Sequence, residues 1–178
     1  TVQNLTIKEC TYRIYRDVRF SKDKSPYKTH MGAYICRGGK KSGFSGYYFH
    51  IGTGDSSSYP DGHMLAAGDY QCEPKVLRIL REDIVNGDGD FQQILQGVLP
   101  YFTLDESFAL KRVPQGFPTD QPYSPLLKYK VYCAWATIDT DFLLAPNLAQ
   151  RVADRFRPTK PLLDYINRAI EYVREEGI

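Results

Sequence analysis

Apolar residues recur at every second position in the early part of this sequence and at every third or fourth position later on. The runs "THMGAYICR", "GFSGYYFHI" and "HMLAAGDYQ" have the alternation and the aromatic and β-branched content of strands. A glycine-rich "GGKK" turn joins the first two, and a long polar loop, "GTGDSSSYPDG", precedes the third. Helical spacing then takes over. In "EPKVLRILREDIVNG", Val76, Leu77, Leu80 and Ile84 form one stripe, Pro74 suits a first turn, and Gly87 is placed to end the helix. "DFQQILQGVL" repeats the pattern with Phe91, Ile94, Leu95 and Val98. "KYKVYCAWATI" is one late strand. "NLAQRVADRF" and "PLLDYINRAIEYVREEG" close the chain as helices, the last with Leu162, Ile166, Ala169, Ile170 and Val173 on one face. A chain sorted in this way predicts an α+β fold: an antiparallel sheet from the N-terminal half covered by helices from the C-terminal half.

The 178 residues are expected to form a single domain, 1–178, large enough for its own core. No apolar run reaches the ~18 residues of a membrane span, and no basic-then-apolar leader opens the sequence. The expected compartment is therefore cytoplasmic, with no membrane partner. The four cysteines, Cys10, Cys36, Cys72 and Cys133, include no C-x-x-C pair and read as buried thiols. His30, His50 and His63 fit no ligand spacing, so no metal and no cofactor are expected. His50, between Phe49 and Ile51, reads as a hydrogen-bonded wall or core residue. "GFSGYY" lacks the spacing of a nucleophile elbow, and "GGKKSG" lacks that of a phosphate loop.

Charge is the other signal. Between Cys10 and Lys41, nine Lys and Arg face only Asp17 and Asp23, a local +7 in a chain whose total is +2. Such an imbalance points to a local anion site rather than to a surface coated with nucleic acid. At its centre is "RIYRDVRFSKDKSPYKTH". Residues 11–20 alternate as a strand would, with Tyr12, Ile14, Val18 and Phe20 on one face and Arg13, Tyr15, Asp17 and Arg19 on the other. This predicts a basic strand–turn–strand pocket wall. Arg16 breaks the pattern by falling on the apolar side. A buried guanidinium needs a carboxylate or a bound anion, for which Asp23 and Glu73 are the candidate protein partners.

The same stretch carries a resemblance. "RIYRDVRFSKDKSPY" is similar to the signature R-x-x-R-D-x-R-F-x-x-[DN]-K-x-x-Y of the family known as domain of unknown function 2461, found in bacteria and fungi. Arg13, Arg16, Asp17, Arg19, Phe20, Asp23, Lys24 and Tyr27 each fill a motif place. "GYYFHI", "LKRVPQGFPTDQP" with "LLKYK", and "KPLLDYINRAI" resemble the family further along. The resemblance implies a helical segment ahead of the motif, with an N-N-x-x-W-F-like stretch. Only about ten residues precede the motif here, so a shortened N-terminus is expected. A bare apolar surface is expected with it, covered by a partner chain or by self-association. The family brings no established activity.

The residues lead to one expectation and two alternatives. The expectation is an anionic, phosphate-bearing small ligand held by Arg13, Arg16, Arg19, Lys24 and Lys28, with Asp17 and Asp23 orienting the cations and Tyr27 at the edge. Tyr27 and His30 are the candidates for proton transfer if phosphoryl or glycosyl transfer or hydrolysis occurs there. Whether the site is catalytic stays open. The alternatives are a nucleic-acid-binding module, with the same cations on phosphates and tyrosines stacking on bases, and a structural ion-pair network without a ligand.

Overall fold

The computed structural model describes residues 2, 4–20, 22, 24–52 and 62–177. Strands β1 (His30–Cys36), β2 (Gly46–Gly52), β3 (His63–Asp69), β4 (Thr103–Leu104) and β5 (Tyr132–Ile138) make one antiparallel sheet in the order β1-β2-β3-β5-β4. The helices are α1 (Ile7–Cys10), α2 (Pro74–Asn86), α3 (Asp90–Val98), α4 (Thr140–Leu144), α5 (Leu148–Phe156) and α6 (Lys160–Glu176). The architecture is α+β, as the period change predicts. The long polar loop before β3 falls almost entirely outside the described residues.

Strand register decides what each face carries. Leu65 and Ala67 of β3, with Tyr132 and Ala134 of β5, are buried in the core, and Tyr47 and Phe49 of β2 pack against it. The helices supply the other half of that core: Val76, Leu80 and Ile84 from α2, Phe91, Leu95 and Val98 from α3, and Leu162, Ile166, Ala169, Ile170 and Val173 from α6. Burying a side chain such as Leu80 or Ile166 contributes roughly 1.5–3 kcal/mol, so these stripes hold the helices to one side of the sheet. Alternation sends the intervening residues to the opposite face in three cross-strand rows. They are Gly32–His50–Met64–Thr137, Tyr34–Tyr48–Ala66–Trp135 and Cys36–Gly46–Gly68–Cys133. Gly68 has φ of +136°, and a Cβ there would lie 2.1 Å from the Tyr132 carbonyl oxygen. The close approach of β5 to β3 therefore depends on glycine.

Residues 11–20 are not the expected strand. Thr11 bridges Ala33 at the β1 edge, and Tyr15 bridges Tyr27. The Arg16 amide donates to the Pro26 carbonyl and the Lys28 amide to the Ile14 carbonyl. The stretch thus folds back on itself as a flap of two short arms beside β1. Its alternation has no covered face to serve: Ile14 and Tyr15 are exposed, and Phe20 is 96% exposed. Without burial on one side, period two does not make a sheet strand.

Among the described residues the buried cation is Arg81, not Arg16. Arg16 is half-buried. Arg81, on α2, is 9% exposed, and its guanidinium donates from Nε to the Leu127 carbonyl at 2.9 Å and from Nη2 to the Tyr129 carbonyl at 3.0 Å. Backbone oxygens satisfy it, and in doing so it ties the segment before β5 to α2. Asp23 lies outside the described residues. Arg81→Ala would leave two buried carbonyls without donors, and such bonds to a charged group are worth about 1.5–3 kcal/mol. Urea unfolding of this variant is expected to show a loss of about 3 kcal/mol, against almost none for Arg19→Ala on the exposed flap.

Candidate functional site

A cavity of about 860 Å³ runs along the sheet face opposite the helices and extends to the helix layer, where Ala67, Val76, Ile170 and Val173 also line it. Its floor is built from the cross-strand rows: Tyr34, Tyr48, Met64, Ala66, Cys133 and Trp135 line it. The flap and the β1 edge bring Tyr12, Arg13, Lys28 and His30, and the β1–β2 turn brings Lys40. At the far end, past Gly46 and Gly68, the cavity is bounded by Asp69, Glu73, Asp105 and Arg174. The lining is therefore aromatic along the sheet, cationic where the flap and the β1–β2 turn meet it, and acidic where the β3–α2 connection and the residue after β4 meet it.

Gly32 makes the first floor row possible. A Cβ there would lie 2.8 Å from the Tyr48 hydroxyl oxygen. With no side chain at Gly32, Tyr48 lies over that position, and its hydroxyl reaches His50 Nδ1 at 2.9 Å. His30 stacks on His50 with centroids 4.9 Å apart and planes 18° from parallel. His50 is 1% exposed. His50 Nε2 and His30 Nδ1 are buried with no hydrogen-bond partner among the described residues. Near-parallel rings send their in-plane lone pairs along similar directions rather than to one point, which is poor geometry for a shared metal. Among the described residues no group of three His, Cys, Asp or Glu is arranged to hold a metal ion.

At the mouth, the ammonium groups of Lys28 and Lys40 each sit 5.9 Å from the centre of the Tyr12 ring, which itself meets Tyr48 edge-on at 6.5 Å. Such cation–π contacts hold a charge in place without neutralising it. Lys28 has no ion-pair partner among the described residues. Arg13 faces Asp17 at a loose 3.9 Å. At the other end, burial raises the Asp69 carboxyl above its ordinary range. Burial also pushes the Cys133 thiol up to about 12, so it is a wall group and not a nucleophile.

The residues singled out from the sequence separate into two groups. Arg13, Lys28 and His30 line the cavity. Arg16, Asp17, Arg19, Lys24 and Tyr27 do not. Asp17 and Arg19 close on each other as an exposed fork, with Nε–Oδ1 at 2.9 Å and Nη2–Oδ2 at 2.6 Å. Lys24 Nζ donates to the Val18 carbonyl at 2.8 Å, and Tyr27 packs on Tyr15 with centroids 5.5 Å apart. These contacts shape the flap. The sequence reading missed Lys40, Tyr34, Tyr48, Met64 and Trp135 as cavity residues. Strand alternation carried a signal for the four on strands, because each occupies the parity opposite to the core residues; Lys40 carried none.

The arrangement defines an α+β protein with an open, aromatic-floored cavity ringed by cations at one mouth. The chain belongs to the family described as conserved hypothetical protein DUF2461, whose model matches residues 1–165. No curated protein and no solved structure matches it.

The histidine pair sets a pH dependence. Burial, followed by the Lys28 charge, holds the His30 imidazole below the usual 6.5. Burial, followed by His30 and His63, does the same to His50. As pH falls through 6.5 the unfolded chain takes up protons that the native protein refuses, so the stability these neutral rings contribute is lost. The urea midpoint is expected to fall between pH 7 and pH 5.5, and His50→Gln to flatten that fall. A midpoint that holds or rises on acidification would contradict the assignment.

Proposed function

We propose that this protein binds an anionic, phosphate-bearing small molecule in the cavity on its open sheet face. The observation that carries this reading is the placement of Arg13, Lys28 and Lys40 around one mouth of an aromatic-floored cavity of about 860 Å³. That volume lies within the few hundred to about 1,000 Å³ of small-molecule sites. The anion belongs at the cationic mouth, where Lys28 offers a point charge with no ion-pair partner among the described residues, Lys40 an ammonium that also donates to the Lys8 carbonyl, and Arg13 a planar fork. The body of the ligand lies along Tyr34, Tyr48 and Trp135, which offer ring faces and edges to a flat or apolar group. His30 is the proton-transfer candidate in contact with this space; Tyr27 is not. Four free thiols fit a reducing compartment such as the cytoplasm. The exposed Asp17–Arg19 fork supports a structural role for that pair alone.

Trp135 is the only tryptophan and lines the cavity, so it reports occupancy directly. Titration with phenyl phosphate is expected to change its fluorescence saturably. Phenol and inorganic phosphate should each bind at least tenfold more weakly, because each lacks one half of the contacts. Arg13→Gln with Lys28→Gln should weaken phenyl phosphate at least tenfold, while Arg19→Gln with Lys24→Gln should leave it within twofold. A ten-nucleotide single strand that binds more tightly than phenyl phosphate, with affinity rising with length, would favour the nucleic-acid alternative instead. No response to any of these anions would leave the flap as a structural element and overturn the proposal.

A further inference from the structure

The stacked histidines are more than a wall. We infer that anion binding in the cavity is coupled to the uptake of one proton by the His30–His50 pair, so that His30 becomes a fourth cationic contact of the bound anion. This rests on the anion-binding reading and deepens it.

Two buried imidazole nitrogens without partners, in adjacent stacked rings, are hydrogen-bonding capacity that nothing in the described residues uses. His50 is fixed by the Tyr48 hydroxyl on its Nδ1 and by the ring stacked on it. His30 is the member that lines the cavity. Among the described residues the groups facing the pair are cationic or neutral. Lys28 acts on His30, and His63 and Tyr48 face His50. Met64 and Gly32 flank His50 in its row. Arg13, Lys40 and Tyr12 stand at the same mouth. The acids of the cavity, Asp69, Glu73 and Asp105, come from the end of β3, the residue before α2 and the residue after β4, and no carboxylate among the described residues is among the groups that move either ring. These neighbours therefore disfavour a charge on either ring.

An anion held by Lys28 and Arg13 reverses the local balance. It places negative charge beside His30, on which the Lys28 ammonium is the charge that acts among the described residues, and it supplies an acceptor for an imidazolium N–H. Only one proton enters, because a second imidazolium 4.9 Å from the first would meet direct repulsion. The proton comes from solvent and no bond of the ligand breaks. By linkage, affinity rises as pH falls from the occupied-state pKa of His30 to its free-state pKa, by up to about tenfold per unit. The favoured ligand class is thus an oxyanion with acceptor oxygens to spare after two lysines and an arginine, as in a phosphomonoester.

The test is a histidine-ring NMR titration of the full chain, free and saturated with phenyl phosphate, with His30→Gln and His50→Gln spectra for assignment. Occupancy is expected to raise the pKa of His30 by at least one unit, with His50 uncharged in both states down to pH 5.5. Between pH 8 and pH 6, wild-type affinity should gain at least fivefold more than that of His30→Gln, a comparison that cancels the ligand's own titration. A His30 pKa that is the same in free and occupied protein would overturn the coupling and leave anion binding standing. So would an equal pH dependence in wild type and His30→Gln. Should either variant fail to fold, the wild-type titration alone decides, since the three histidines give separate ring signals and only one is expected to move. Absence of any phenyl phosphate response at Trp135 would instead remove the anion-binding reading, and the coupling with it.

Discussion

The structure depends on a five-stranded antiparallel sheet that is covered on one face only. Alternation along β2, β3 and β5 sends one set of side chains into the helix-packed core and the other into three cross-strand rows on the open face. Those rows are unlike the solvated side of an ordinary antiparallel sheet, which would carry charged and small polar groups. They hold Tyr34, Tyr48, His50, Met64, Ala66, Cys133 and Trp135, with glycine where two backbones or a ring must come close. Apart from His50, these side chains line the cavity. The flap, resting on the β1 edge through the Thr11–Ala33 bridge, brings the cations to it.

Charge follows the same plan. The local +7 from Cys10 to Lys41 is divided by the fold. Arg19 and Lys24 are spent within the flap, on Asp17 and on the Val18 carbonyl. Arg13, Lys28 and Lys40 line the cavity, where Tyr12 lies beneath both ammonium groups, and Lys40 is further anchored on the Lys8 carbonyl. A motif dense in arginine thus serves two ends. One part shapes the segment, and another delivers charge to a pocket mostly built elsewhere in the chain.

Much of the fold was legible from period alone. Helices α2, α3, α5 and α6 and strands β1, β2, β3 and β5 occur where apolar spacing places them, and the helices and the three inner strands each set residues of one face in or against the core. The elements that were missed, α1, α4 and β4, have two to five residues, too few for a period to show. The flap was misread for the opposite reason: residues 11–20 alternate in composition but bury neither side. Arg16 was singled out on that false face. The buried guanidinium belongs to Arg81, whose partners are carbonyls 46 and 48 positions further on, a contact that no local pattern announces. The site was half legible. Arg13, Lys28 and His30 came from charge and chemistry. The aromatic floor depends on which parity of each strand the helices leave bare, and the sequence fixes the parity but not the layer that covers it.

The claim on which the account turns is that the bare sheet face is the ligand's place. A crystal structure of the protein grown with saturating phenyl phosphate tests it most directly. The account predicts the phosphate among Arg13, Lys28, Lys40 and His30, with the phenyl ring against Tyr48 and Trp135. A cavity left empty while phenyl phosphate sits on the outer flap at Arg16 and Arg19 would contradict it.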